Sequence, residues 1–296
     1  MIQHVVPVVE NIRLAERTYR VRLADPEIGR CILPGQFVML RIPGNTDPLL
    51  ARPFALYDTY LNEVRDAAGY DLVYLVVGKM TTAMSRLGAG DSAEVWGPLG
   101  NGFTLTPTQH LLMVAGGIGQ TPFPAVARAY LGLRCYGSAI SGQESGVSAH
   151  SPLTTHHSPA SPLADFVSLC YGVRSASYLA GLDDFRSLGV PVALATDDGS
   201  AGHPGFVTDL VELALKNDTP PTLLMGCGPE TMMHKLAQIA AAAGVRCELS
   251  LETPMACGIG ACFSCVARIR QDDGPWDYRR VCIDGPVFEA SRVIFH

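Results

Sequence analysis

His110-Leu-Leu-Met-Val-Ala-Gly-Gly-Ile-Gly-Gln-Thr-Pro122 is the segment on which the architecture turns. His110–Ala115 reads as a continuous run of the kind a strand covered on both faces requires, and such strands belong to parallel sheets. Gly116, Gly117 and Gly119 follow at once, and a helical stretch runs from Pro122 to Leu131. Strand, glycine turn and helix together make the start of an α/β unit. Glycines at this place let the phosphates of a dinucleotide such as NAD approach the backbone. The spacing departs from G-x-G-x-x-G, so a tight turn without a nucleotide stays open as the alternative.

Downstream the same rhythm continues. Candidate strands at Phe166–Tyr171, Val190–Ala195 and Leu223–Met225 alternate with candidate helices at Phe206–Leu215 and Glu230–Ala243, the pattern of a parallel sheet with crossover helices. Gly226-Cys-Gly-Pro-Glu230 repeats the glycine turn at the end of the last of these strands. It puts Cys227 and Gly228 at the carboxyl edge, where open α/β folds bind ligands. A small buried thiol is the plainer reading of Cys227.

Upstream the period changes to two. Six short β-branched or aromatic runs, around Val5–Val9, Tyr19–Leu23, Phe37–Ile42, Phe54–Tyr57, Leu72–Val77 and Ala93–Trp96, predict a small antiparallel barrel. A short helix is expected at Thr81–Leu87, stopped by Gly88 and Gly90. Arg52-Pro-Phe-Ala-Leu-Tyr57 places an arginine beside a rigid proline at a strand. Its planar fork suits a pyrophosphate, although an edge strand with a solvated charge has the same appearance. Gly78-Lys-Met-Thr81 offers backbone N–H groups at a helix start.

The chain has 296 residues, about two domains' worth, with 48% hydrophobic and 17% charged residues and a net charge of −6. That balance argues against nucleic-acid binding, which needs a surplus of Lys and Arg on one face. No run of about 18 apolar residues suggests a membrane span, and Met1–Glu10 lacks the features of a signal peptide, so a soluble cytoplasmic protein is expected. Residues 137–162 shift to Ser, Gly, Pro, Thr and His and predict a flexible surface insertion, with His156 and His157 part of a solvated tract.

Nine cysteines are unevenly placed: Cys31, Cys135, Cys170, Cys227 and Cys247 are scattered, while Cys257, Cys262, Cys265 and Cys282 crowd the C-terminus. Cys257-Gly-Ile-Gly-Ala-Cys262-Phe-Ser-Cys265 followed by Cys282 has the C-x₄-C-x₂-C…C spacing of a plant-type [2Fe–2S] centre. Gly258 and Gly260 let the loop curl close around two irons. A structural zinc site also uses four cysteines, but usually as two separate knuckles. An iron–sulfur cluster moves single electrons whereas a nicotinamide exchanges hydride, so a chain using both needs a converter, of which flavin is the usual one.

Taken in order, the motifs are Arg52-Pro53, Gly97-Pro-Leu-Gly-Asn-Gly-Phe103, Gly116-Gly-Ile-Gly119, Thr196-Asp-Asp-Gly-Ser200, Gly205-Phe-Val-Thr208, Gly226-Cys-Gly-Pro-Glu230, Met255-Ala-Cys-Gly-Ile-Gly-Ala-Cys262 and Val281-Cys-Ile-Asp-Gly-Pro-Val-Phe288. The chain thereby resembles the electron-transfer subunits of type B dihydroorotate dehydrogenases, within the ferredoxin–NADP reductase superfamily. The resemblance covers nearly the whole length.

It implies three modules in a multi-domain α/β plus β chain: a six-stranded FAD-binding β-barrel at 1–103, an NAD(P)-binding α/β domain at 104–245, and a small [2Fe–2S] module at 246–296. FAD would be held by Arg52, Pro53, Phe54 and Ala55, by Val73, Tyr74 and Leu75, and by Met80 and Thr81. The cluster would be held by Cys257, Cys262, Cys265 and Cys282, and NAD would be the acceptor. An FMN-containing catalytic subunit would oxidise dihydroorotate in pyrimidine biosynthesis, in a heterotetramer with two copies of each chain. Electrons would pass from that FMN to the cluster, to FAD and to NAD⁺, with no acid or base required of this chain. Ala55, Leu75 and Met80 stand where relatives usually carry Ser, Arg and Gly. A ferredoxin- or hydrogenase-linked reductase subunit with the same cofactors is the near alternative, and a flavin-free iron–sulfur scaffold or sensor is the distant one.

Overall fold

The structure, a computed structural model, describes residues 1–44, 46–133, 161–272 and 274–295. Nearly all of the Ser-rich insertion, with His156 and His157, lies outside the described residues, as does Cys135.

Strands β1 (Ile2–Ala15), β2 (Thr18–Leu23), β3 (Phe37–Arg41), β4 (Arg52–Leu61), β5 (Ala67–Leu75) and β6 (Ser92–Leu99) close into an antiparallel barrel in the order β1-β2-β5-β4-β3-β6. Alternation drives the closure. Ala93, Val95, Gly97 and Leu99 of β6 are buried while the residues between them are not, as a strand with one face on a core requires. Two short helices plug the barrel region, α1 (Pro26–Cys31) and α2 (Lys79–Met84). The sequence reading missed α1, although Asp25 caps it by accepting the Ile28 N–H at 3.1 Å and Pro26 sits at the start, where a missing N–H costs nothing.

The second layer is a seven-stranded sheet in the order β10-β9-β8-β7-β11-β12-β15. Its members are β7 (Thr108–Gly116), β8 (Ala164–Val173), β9 (Val192–Thr196), β10 (His203–Pro204), β11 (Leu223–Cys227), β12 (Arg246–Ser250) and β15 (Val287–Glu289). All neighbours run parallel except β12 and β15. Helices α3 (Phe123–Tyr130), α4 (Leu182–Ser187), α5 (Val207–Ala214) and α6 (Glu230–Ala243) pack on it. Strand β7 is buried from His110 to Gly116. A 3-10 turn, Gly117–Gln120, intervenes before α3, so the helix begins one residue later than the sequence suggested. The order reverses between β7 and β11, the switch point at which α/β sheets open a crevice.

A hairpin, β13 (Val266–Ile269) with β14 (Asp277–Arg280), follows the cysteine loop. The chain then returns to the sheet: β15 pairs with β12 through Leu249 and Phe288. Cys265, Val281 and Cys282 consequently share one core with Phe37, Met39 and Leu99 of the barrel and Leu224 and Leu249 of the sheet. The short C-terminal segment thus gains a core by borrowing one.

Asn101 fastens this junction. Its Nδ2 donates to the carbonyls of Asp284 and Val287 at 3.2 and 2.9 Å, and its Oδ1 accepts the Val287 N–H at 3.0 Å. Gly100 beside it has φ +70°, and a Cβ there would stand 2.6 Å from the Gly285 oxygen. Two separate sequence motifs, Gly97–Phe103 and Val281–Phe288, are therefore two sides of one contact.

Barrel and sheet also meet along β4. Arg128 of α3 donates to Asp58 at 2.6 Å, and the Tyr57 hydroxyl donates to Asp184 of α4. Burial raises the Asp58 carboxyl above its ordinary range, with the Arg128 guanidinium opposing the rise.

Candidate redox cleft and cysteine loop

A cleft of about 740 Å³ opens between the barrel, the carboxyl edge of the sheet and the segment leading into the cysteine loop. Its size suits a large organic cofactor. The barrel wall contains all nine residues expected at FAD: Arg52, Pro53, Phe54, Ala55, Val73, Tyr74, Leu75, Met80 and Thr81. Strands β4 and β5 deliver the first seven, and α2 the last two.

Tyr74 is fixed by its hydroxyl, which donates to Asn11 at 3.1 Å, and by stacking on Tyr19 with ring centroids 5.8 Å apart. Thr81 caps α2, its Oγ1 accepting the N–H groups of Val77 and Gly78 at 3.0 and 3.2 Å. Arg52 curls over the start of its own strand, donating to the carbonyls of Leu50 and Ala51 at 3.0 Å each.

The turn after β7 and the end of β11 contribute Gly119 and Cys227 to the same cleft, whereas Gly116, Gly117 and Gly228 are not part of its lining. Packing accounts for two of these. A Cβ on Gly119 would stand 2.2 Å from the Cys227 oxygen, and one on Gly116 would meet Met232 and Pro229 at 2.6 and 2.8 Å. These glycines let the ends of β7 and β11 close on one another. The Cys227 thiol is pushed up to about 12, by burial first and by the Glu252 carboxylate second, so it stays protonated at neutral pH.

The third wall is one the sequence reading missed. Ser250–Ala256, together with Ser264, lines the cleft. No periodicity marks this segment, but one signal was present: a chain leaving the carboxyl end of β12 must run past the crevice before reaching the first cysteine. Thr253 Oγ1 is buried there with no hydrogen-bond partner, an orphan group on a cofactor-sized cleft.

Next to this wall the cysteine loop folds tightly, with Gly258 and Gly260 at φ +73° and +76°. Trp96 of β6 donates its indole N–H to the Cys257 carbonyl at 3.1 Å. Arg280 donates to the Gly260 carbonyl at 3.1 Å and lies over the Phe263 ring. Cys257 stands beside Cys262, and Cys282 beside Cys265, with Cys257 near enough to act on Cys282 as well.

Hydrogen bonding from Ser264 lowers Cys262 to about 6, and burial raises Cys282 to about 12. Among the described residues, no three His, Cys, Asp or Glu side chains gather around a single point as one metal ion requires. Four cysteine sulfurs gathered by one tight loop and its flank are the donor set that a [2Fe–2S] cluster would take. Cleft and loop therefore fit a flavin and a [2Fe–2S] cluster respectively.

A family model described as the iron–sulfur cluster binding domain of dihydroorotate dehydrogenase B matches residues 252–294. Over 288 residues the chain is 32% identical to the dihydroorotate dehydrogenase B (NAD(+)) electron transfer subunit of Caldanaerobacter subterraneus subsp. tengcongensis, covering 97% of each. It is 34% identical over 298 residues to the protein of the same description from a Geobacillus species, covering 99% of each. Among solved structures, an NADH-dependent reduced ferredoxin–NADP oxidoreductase studied for flavin-based electron bifurcation superposes with a TM-score of 0.76 at 25% identity, over 99% of this chain and 90% of that one. A ferredoxin NADP⁺ reductase from Neisseria gonorrhoeae with bound FAD and NADP shares the fold, with a TM-score of 0.57 at 16% identity over 82% of this chain and 92% of that one.

Proposed function

Since this chain belongs to the family of dihydroorotate dehydrogenase B (NAD(+)) electron transfer subunits, we propose that it carries electrons from dihydroorotate oxidation on a separate FMN-containing subunit to NAD⁺. The observation that carries this reading is a shared wall: cleft-lining Ala256 and Ser264 are the immediate chain neighbours of Cys257 and Cys265. A flavin in the cleft and a cluster in the loop would therefore be one residue apart along the backbone. When bound, the cluster supplies single-electron exchange and the flavin supplies hydride exchange with the nicotinamide.

The roles of the chain's own residues follow from their positions. Arg52 and Lys79, the latter paired with Asp47 at 2.7 Å, line one side of the cleft, toward which the FAD pyrophosphate would lie. Pro53, Phe54, Ala55, Val73, Tyr74, Leu75, Met80 and Thr81 would shape the rest of the flavin site. Gly116, Gly117, Gly119, Cys227 and Gly228 would receive the nicotinamide dinucleotide at the switch point of the sheet. Cys257, Cys262, Cys265 and Cys282 would hold the irons. Partly buried Cys227, a neutral thiol, presents no charge to either cofactor.

This division assigns FAD to residues 1–103, the nicotinamide to 104–245 and the cluster to 246–296, with β12 and β15 of the last segment built into the sheet. Among the described residues no helix is long and apolar enough to cross a membrane. A cytoplasmic heterotetramer with two catalytic chains completes the proposal. It is tested by absorption spectra of the purified chain, with and without an FMN-containing dihydroorotate-oxidising partner. Bleaching by dihydroorotate only in the partner's presence, and by NADH in either case, supports it. Electron exchange solely with ferredoxin or hydrogenase would sink the assignment of partner.

A further inference from the structure

We propose that Ser264 is a positioning residue that sets the reduction potential of the cluster, donating its hydroxyl hydrogen to the Cys262 sulfur. The inference rests on the cluster assignment above and deepens it. Ser264 Oγ lies 3.1 Å from Cys262 Sγ, accepts the Ala256 N–H at 3.3 Å, and has the Pro254 carbonyl oxygen at 3.3 Å. Ser264, Pro254 and Ala256 all line the cleft. Ser264 thus touches a cluster sulfur from the flavin side of the loop.

A hydroxyl has one hydrogen to give and two lone pairs. The Ala256 N–H takes one lone pair, which leaves the hydrogen to choose between the Pro254 carbonyl and the Cys262 sulfur. A cysteine bound to iron is a thiolate: it has no proton to offer and is a charged acceptor. Charge-assisted bonds are roughly twice as strong as neutral ones, so the hydrogen would turn from the Pro254 carbonyl to sulfur with iron bound. No covalent bond forms or breaks. An electron from dihydroorotate oxidation would add negative charge to a bound cluster, and the hydrogen bond from Ser264 would strengthen. Hydrogen bonds to the sulfurs help to set cluster potentials, and one that favours the more negative, reduced state raises the potential.

The test is an EPR-monitored redox titration of the holoprotein as wild type, Ser264→Ala and Ser264→Thr, with iron, sulfide and FAD measured in the same samples. Ser264→Ala is expected to disfavour reduction about fivefold, which the 59 mV per tenfold of a one-electron couple converts to about 40 mV downward. Ser264→Thr keeps the hydroxyl and is expected to restore the wild-type midpoint. A fully loaded Ser264→Ala protein with an unshifted midpoint would overturn the proposal, as would a threonine variant displaced as far as the alanine one. Should Ser264→Ala not hold the cluster, Ser264→Cys replaces the hydroxyl with a weaker donor of similar shape, and an unshifted midpoint there overturns it equally. A wild-type chain with no iron, sulfide or signal after anaerobic reconstitution would overturn both this inference and the cluster assignment beneath it.

Discussion

Trp96 and Cys257 are joined by a 3.1 Å hydrogen bond from the indole N–H to the cysteine's carbonyl, which pins the first residue of the cysteine loop to barrel strand β6. The bond crosses from the first module to the last, and Gly258 beside it packs on Met39 and Leu99 of the same barrel. The barrel is therefore part of the scaffold of the loop as well as a wall of the cleft. Trp96→Phe keeps a six-membered aromatic ring against the core and removes the donor together with the pyrrole part of the indole. We expect a loss of about 1 kcal/mol, typical of one hydrogen bond, seen as faster release of iron and sulfide to a chelator with FAD content unchanged.

Asn101 makes a sharper case, because it holds the turn after Cys282 by both its donor and its acceptor. Asn101→Ala removes three hydrogen bonds and frees the backbone that carries β15 into the sheet. The expected cost is about 2 kcal/mol, read as a lower denaturant midpoint with an unchanged slope. Asn101→Asp keeps the acceptor toward Val287 N–H and is expected to fall between wild type and alanine.

Much of this architecture was legible in the sequence, and what escaped has physical reasons. The six barrel strands and the β7 and β11 turns announced themselves because burial on one face or on both leaves a clear pattern. Helix α6 was delimited at both ends by Pro229 and Gly244. Strand β15 has three residues, too few for any period to register, and only pairing with β12 makes it a strand. The C-terminal module therefore looked separate when it is joined to the sheet. The nine residues expected at FAD all reached the cleft. The Leu251–Ala256 wall did not show itself, since a segment without regular structure has no pattern to read and its position follows from where β12 ends.

The seam between barrel and sheet predicts a pH dependence. Burial raises the Asp58 carboxyl in the folded protein, so the folded state binds its proton more tightly than the unfolded chain does. A raised folded value means that stability is greater at low pH and declines as pH climbs from the ordinary carboxyl range through the folded value. Arg128 restrains this by favouring the charged form at 2.6 Å. Arg128→Met removes the restraint, so the folded value rises further and the decline toward neutral pH steepens. Denaturant titrations of both proteins at pH 4 and pH 7 check this: the variant is expected to lose more stability between the two than wild type does.

At Leu75 the barrel wall meets the cleft with an apolar side chain beside the expected phosphate side. Leu75→Arg adds a cation that can form charge-assisted hydrogen bonds to a pyrophosphate. FAD affinity is expected to rise by about tenfold at low ionic strength, with the gain shrinking as salt screens the new charge. Quenching of flavin fluorescence on titration at two salt concentrations measures both effects, and an affinity gain that salt does not touch would argue against a phosphate contact.

Cys282 and Cys247 allow the cluster role to be separated from simple burial, because both thiols are buried and both are pushed up to about 12, Cys282 by burial and its neighbour Cys265, Cys247 by burial first and then by the carboxylates of Glu289 and Glu248. A buried cysteine that only packs behaves as a small hydrophobe, and its replacement by alanine costs about 1 kcal/mol with no change in colour. Cys247→Ala is expected to behave in that way. Cys282→Ala removes one of the four sulfurs of the proposed ligand set. It is expected to abolish the [2Fe–2S] EPR signal and lower bound iron and sulfide, while FAD stays bound and NADH still bleaches its absorption band. Electron transfer from dihydroorotate through the partner should then fall at least a hundredfold, the upper end of what losing even a group that only hydrogen-bonds to a metal's ligands costs. A Cys282→Ala protein with full iron and an undisturbed signal would require a different fourth ligand.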